Sequence, residues 1–501
     1  MKQHHNESRV LGSILSGFVG IVLIAVIGAV ATHVMAIHFG PEQYGLLTLA
    51  LALTTTAQGL TEFGQTQMLQ RDIARTPDDE ARLIGYSLGL RLAMSATAAV
   101  AFSVGGILIY SRHDRLTSLT IVISLTLLPL MAFIQTLSTH FFHGFRNRRL
   151  VEIGVLQQVL YLGGTLLAIY IGAPIWACAV SGVATVFLQA VILFAIARRQ
   201  VTLRPRFSRV EWRRNLVQAA PLGLSALLVS FYLKADILIL GVMGQRSQLA
   251  YYGIAIAVCS FFLVLPGLVV RVFMPVISRD GDGWQRPSID LFGYVWTLGF
   301  MSVVLVWIGA PVAVRLFAGD KFEAAVIPLR ILGPSVLSVF VASAMSAFCV
   351  ARGFQRKLGQ ISGSVLVLNV VSNIIVIPRY GINGSALVTT GCEFIGVVLL
   401  ARLIVRNSGM KFGDLHRPLP SLFAASVSLL VTAPWLAGFT QNVLEVAGLE
   451  LLAMAVFVMC LTLARGLPLG VVYFLVPPAQ HARLGPLSKI ILKSDPLRTL
   501  K

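Results

Sequence analysis

Apolar residues run in stretches of twenty or more along nearly the whole chain, with short polar segments between them. Wound as an α-helix, a stretch of that length matches the roughly 30 Å hydrocarbon core of a bilayer. It is neither the period-2 alternation of a half-buried strand nor the one-sided stripe of a soluble amphipathic helix. The pattern predicts helices near 12–37, 43–66, 83–110, 117–141, 151–172, 174–197, 216–241, 249–277, 289–314, 326–351, 358–377, 382–401, 418–439 and 446–464. The predicted fold class is all-α and integral to a membrane, with about fourteen transmembrane helices. The first run, Gly12 to Ile37, has no small-residue cleavage site and exceeds the roughly 7–15 residue core of a signal peptide, so it is expected to stay as the first helix.

Composition agrees with that pattern. Of 501 residues, 56% are hydrophobic and 12% charged, against about 25% charged in a soluble domain. A formal charge of +19 raises the possibility of nucleic acid, which would require basic and aromatic side chains gathered on one folded surface. Position along the chain explains the charge better. With the N-terminus placed in the cytoplasm, 30 of the 40 Lys and Arg fall in inner segments and six in outer loops. That asymmetry follows the positive-inside rule, puts both termini in the cytoplasm, and turns the charge towards anionic lipid and away from nucleic acid.

The outer loops are short, the longest lying around Phe317 to Ala325, which leaves no room outside the membrane for a catalytic domain. This argues against a glycan polymerase or ligase and predicts that the chain is not an enzyme. The longest inner loop, Arg198 to Asn215, carries seven arginines and reads as a basic linker at the headgroups. Cys178, Cys259, Cys349, Cys392 and Cys460 all lie in apolar runs without metal-ligand spacing, so neither disulfides nor a metal is expected. No cofactor is indicated, and without a Walker motif or nucleotide domain ATP does not drive transport from within this chain.

The chain also matches itself at an offset of about 208. Tyr44-Gly45 falls on Tyr252-Gly253, Gly59 on Gly267 and Arg71 on Arg279; with the offset grown to 209, Gly144-Phe145 falls on Gly353-Phe354 and Gly172 on Gly381. Helices 1–6 and 7–12 then form two copies of one unit, related by an axis along the membrane normal, with substrate held near mid-membrane. The expected domains are an N-lobe over 10–200, a linker over 201–215, a C-lobe over 216–405, two further helices over 406–465 and a basic tail over 466–501.

Several strings in this frame carry a resemblance: FGPEQYGLLTLALAL with LQRDIAR, YLKADILILGVMG, LPGLVVRVFMPVISR, PLRILGPSVLSVF, ARGFQRK, and NVVSNIIVIPRYGINGSALVTT. Over roughly residues 10 to 405 the chain resembles the polysaccharide-transporter branch of the multidrug/oligosaccharidyl-lipid/polysaccharide exporter superfamily, the O-antigen and exopolysaccharide flippases. The resemblance implies a flippase moving undecaprenyl-diphosphate-linked oligosaccharides from the cytoplasmic to the outer leaflet of the cell inner membrane. It also implies a polysaccharide polymerase and assembly proteins as partners. The alternatives are a cation-coupled multidrug exporter of the same superfamily and, from another class, a membrane glycan polymerase or ligase.

Charges deep in a span cost about 2.5–3.5 kcal/mol each on insertion scales, so they should face a partner or a wet cavity. Arg91 and Lys234 are expected to meet the diphosphate. On helix 2, Gln58, Thr61 and Gln65 share a face with Thr54 and Glu62, a stripe expected to line the cavity, and Asn369 and Asn373 share a face of helix 11. Gln157, Gln158 and Tyr161 mark helix 5, with hydrogen bonding between helices as their default role. Glu62, Asp236 and Glu393 are the candidates for ion coupling, together with His33. On a continuous helix Lys234 and Asp236 would point about 200° apart and could not pair.

Overall fold

The computed structural model describes residues 2–111, 114–143, 147–199, 204–243, 246–278, 284–415, 419–436 and 443–463. Among these no strand occurs, and nine helical segments are long and apolar enough to cross a membrane. The basic tail expected over 466–501, and Gly144-Phe145 of the repeat, lie outside the described residues.

Two segments each hold two of the predicted spans. Helix α1 (Lys2–Glu62) turns at Gly40, whose φ of 68° precedes Pro41, and the corresponding break in the long helix α14 (Gln355–Ser408) is at Gly381, φ 56°. A side chain at either position would be strained, and Pro41 also removes a helix donor.

Elsewhere predicted single helices are broken. The span read as 117–141 is α4 (Arg115–Leu125) followed by α5 (Leu127–His143), and 249–277 is α10 (Arg246–Phe262) followed by α11 (Val264–Ile277). Proline clashes with the carbonyl four residues earlier. Pro129 and Pro266 therefore place the breaks at Leu125 and Phe262, where they are found. Helix 2 ends at Glu62, and Phe63 (φ 39°) and Gly64 (φ 69°) turn the chain into α2 (Gln65–Arg75). The predicted helix 216–241 is α8 (Arg209–Tyr232) and α9 (Ala235–Val242), interrupted at Leu233 and Lys234. Asp236 in the first turn of α9 accepts from the amide of Ile237 at 2.9 Å, satisfying a donor that the break leaves without a helical acceptor.

The described helices group into two compact units. The first comprises residues 1–254, 316–322 and 369–382. It contains α3 (Glu80–Gly106), α6 (Asn147–Tyr170) and α7 (Trp176–Ala197) together with α1, α2, α4, α5, α8 and α9. Ala31, Met35 and Leu47 of α1 pack with Ala168, Ile175 and Cys178 in one apolar cluster, while Leu137, Phe141, Ile153 and Leu193 form another. At one end of this unit Asp114 caps α4. Its carboxylate accepts from the amides of Leu116 and Thr117 and the Thr117 hydroxyl, and pairs with Arg246 at 2.6 Å.

The second unit comprises the described residues within 255–315, 323–368 and 383–463. Here α12 (Gln285–Ala318) packs Val304 and Ile308 against α16 (Leu419–Leu436) and α17 (Val443–Leu463), through Ala424, Ala425, Leu449, Ala453 and Phe457. The hydroxyl of Thr390 on α14 donates to the Ile331 carbonyl on α13 (Val326–Ala351) at 2.8 Å, and Arg352 stacks on Trp284.

Candidate functional site

The first unit holds a partly open cavity of about 460 Å³ walled by α1, α4, α5, α6 and α7. Its polar groups are five glutamines, Gln58, Gln135, Gln157, Gln158 and Gln189, with Ser124 and Tyr161. Leu47, Leu51, Leu127, Met131, Ile134 and Val186 supply much of the remaining wall, and no charged side chain contributes to it. Tyr161 is held by a contact to the Met35 sulfur at 3.6 Å and lies over Gly182.

Arg91 sits behind this wall. Only 1% exposed, it donates from Nη2 to Gln135 Oε1 at 2.6 Å and from Nη1 to Thr136 Oγ1 at 3.4 Å, and it lies in the field of Glu62. Arginine carries no acceptor, so the carbonyl end of the Gln135 amide faces Arg91 and its NH₂ is the end left for other partners. The guanidinium thus acts on the cavity through Gln135.

The predicted helix-2 stripe is divided. Gln58 reaches the cavity. Thr54 and Thr61 are buried and return their hydroxyls to the carbonyls of Ala50 and Gln58, at 2.8 and 3.0 Å, as threonines in apolar helices do when they have no outside partner. Gln65, beyond the turn at Phe63 and Gly64, donates to the Thr61 carbonyl and borders a separate small cleft with Asp72, Ser87 and Asn215.

Lys234 is half-buried at the interruption between α8 and α9, not on a continuous helix, so the 200° separation from Asp236 does not apply. The carboxylate of Asp236, 4% exposed, accepts from the Tyr252 hydroxyl at 2.6 Å and lies in the field of Lys234. Asn373 donates to Asn369 at 3.1 Å, and both are buried. Glu62 and Glu393 are half-buried, and Glu393 is engaged with neighbouring groups. The structure therefore brings Gln58 together with Gln157, Gln158 and Tyr161, and ties Arg91 to that group through Gln135. Lys234 and Asp236 form a second locality, Asn369 and Asn373 a third.

Sequence reasoning missed Gln135, Gln189 and Ser124. The signal was present: Gln135 in AFIQTLS and Gln189 in VFLQAVIL are lone amides in apolar runs, where an unsatisfied polar group costs several kcal/mol.

The profile of a family described as polysaccharide biosynthesis protein matches residues 10–280. No curated protein sequence matches the chain. Among solved structures, the chain is similar to the lipid II flippase MurJ in an inward closed conformation, with TM-score 0.75 and 15% identity over 89% of this chain and 98% of that one. It is also similar to a multidrug resistance MATE family transporter of the MOP superfamily. The inward-facing form gives TM-score 0.62 at 15% identity over 78% of this chain and 99% of that one. The outward-facing form gives 0.58, also at 15% identity, over 81% and 96%. At such identities the likeness is one of fold, a multi-pass helical transporter fold common to flippases and exporters.

Proposed function

We propose that this chain, which belongs to the polysaccharide biosynthesis protein family, is a flippase carrying undecaprenyl-diphosphate-linked oligosaccharide from the cytoplasmic to the outer leaflet by alternating access. It would work in the cell inner membrane, with both termini cytoplasmic, and supply O-antigen or exopolysaccharide assembly alongside a polymerase. The observation that carries the reading is the family match over more than half of the chain, joined to a fold shared with a flippase of a lipid-linked glycan. The cavity supports it, since amides, hydroxyls and an aromatic ring suit sugars, whereas a multidrug site for cations would favour carboxylates in its wall.

On this reading Lys234 is the cation nearest to free engagement with a diphosphate, because its ammonium donates to no side chain among the described residues and stands only in the field of Asp236. Arg91 acts from behind the cavity by orienting Gln135. Asn369 and Asn373 supply further polar contacts. Ion exchange, proton or sodium, drives the cycle through Glu62, Asp236 or Glu393 in an antiport mode, and the protein performs no bond chemistry. Depletion of the protein in its cell tests the proposal. Lipid-linked glycan should accumulate on the cytoplasmic leaflet while its synthesis continues; unchanged surface polysaccharide would overturn the proposal.

A further inference from the structure

Five amides line one cavity, set in a largely apolar wall that holds no Asp, Glu, Lys, Arg or His. A diphosphate would need cations in such a wall, and an acyl tail would leave its amides unused. Two of the amides are fixed with opposite polarity. Gln135 gives its carbonyl to Arg91 and keeps its NH₂ as the free donor. Gln157 donates its NH₂ to Thr185 Oγ1 at 3.2 Å, and Thr185 uses its own hydrogen on the carbonyls of Ser181 and Gly182, so the free end of Gln157 is an acceptor. Ser124 borders the same wall, but its Oγ is buried behind it and offers nothing to the cavity.

A fixed donor and a fixed acceptor among further amides and apolar walls suit a sugar ring, because each of its hydroxyls both gives and takes a hydrogen bond. The volume, about 460 Å³, lies within the roughly 300–1,000 Å³ usual for small-molecule sites. It equals roughly 15 waters' share of liquid volume, enough for one or two pyranose rings.

We infer that this cavity, inside the first unit, is a subsite for an uncharged pyranose of the transported glycan; the inference rests on the flippase reading above. It sets a preference within that substrate class: neutral hexoses and N-acetylhexosamines are accepted there, and uronic acids are rejected because a carboxylate would enter without a cation to meet it.

The test uses the full chain in lipid nanodiscs and three probes: a prenyl diphosphate without sugar, one bearing a neutral disaccharide, and one bearing a disaccharide of uronic acids. The neutral sugar should tighten binding about tenfold over the bare diphosphate, the worth of one or two amide hydrogen bonds, and the uronate should give no gain. Gln158→Leu and Gln189→Leu should each remove most of the neutral sugar's gain and leave binding of the bare diphosphate unchanged, which also shows that the variants fold. Should either fail to fold, Gln58→Leu, at a half-buried amide of the same wall, carries the same expectation. A gain that survives these substitutions, or one given equally by the uronate, overturns the subsite while leaving the flippase reading in place. Failure of all three probes to bind overturns both.

Discussion

Arg91 and Gln135 form the most sharply defined polar contact behind the candidate site, and its removal has a calculable cost. Arg91→Met deletes a charge-assisted bond of 2.6 Å, worth about 1.5–3 kcal/mol, and leaves the Gln135 carbonyl without its partner, about 1–3 kcal/mol more. The contact to Thr136, at 3.4 Å, is at the edge of hydrogen-bonding distance and adds little. Glu62 is half-buried and can hydrate once the guanidinium is gone. The expected loss is about 2.5–6 kcal/mol, the sum of those two terms. Gln135→Leu alone strands the arginine and should cost a similar amount. The double variant replaces both partners by apolar groups and should lose far less than the sum, giving a coupling of at least about 1.5 kcal/mol. Reversible denaturation in detergent micelles, followed by tryptophan fluorescence, reads the cycle. Additive losses within about 0.5 kcal/mol would show that Arg91 does not hold Gln135.

Further outcomes follow from other contacts. Tyr252→Phe takes from Asp236 the donor at 2.6 Å and should destabilise by about 1.5–3 kcal/mol in the same denaturation assay; no change would show the carboxylate to be satisfied otherwise. Burial works to raise the pKa of Asp114, but the Thr117 hydroxyl, two backbone amides and Arg246 outweigh it and hold the carboxyl below its usual range. A depressed folded pKa contributes stability above the unfolded value of about 3.9 that is lost as pH falls through the folded one. Asp114→Asn should therefore be less stable than the parent at pH 7 and converge with it in acid, and parallel stability curves would refute the pairing. Cysteine placed at Gln58 in a cysteine-free background should react with a small thiol reagent, whereas cysteine at Thr54 or Thr61 should not; equal labelling would contradict the division of helix 2. Reporter fusions after Asn215 and Phe322 should report cytoplasm and exterior, and the reverse would overturn the charge-based orientation.

Much of the fold was legible because span length is a physical demand of the bilayer that an apolar run must meet. The helix interruptions were less so. Those at Leu125 and Phe262 follow from Pro129 and Pro266, each four residues further on. Those at Phe63 and Lys234 have no proline beside them, and continuous apolarity hid them; the stripe from Thr54 to Gln65 and the angle between Lys234 and Asp236 both presumed an unbroken helix. At the site, Gln58, Gln157, Gln158 and Tyr161 were visible as polar residues in apolar runs, but their convergence depends on how α1, α5, α6 and α7 pack. Periodicity within one helix cannot carry that information. For Arg91 the sequence shows only that a buried cation in a span needs an anion or an acceptor; that one acceptor is a neutral amide on α5 is visible only in the packing.

The central claim is transport of a lipid-linked glycan, and reconstitution measures it directly. Proteoliposomes carrying the full chain, with undecaprenyl-diphosphate-linked oligosaccharide placed in one leaflet, are sampled with a lectin confined to the opposite side. The account predicts that glycan becomes lectin-accessible in vesicles with protein and not in protein-free vesicles, and that an imposed proton or sodium gradient accelerates its appearance. Glycan that stays in its original leaflet under both gradients, while a cationic dye is carried across the same vesicles, would contradict the account and favour an exporter of cations.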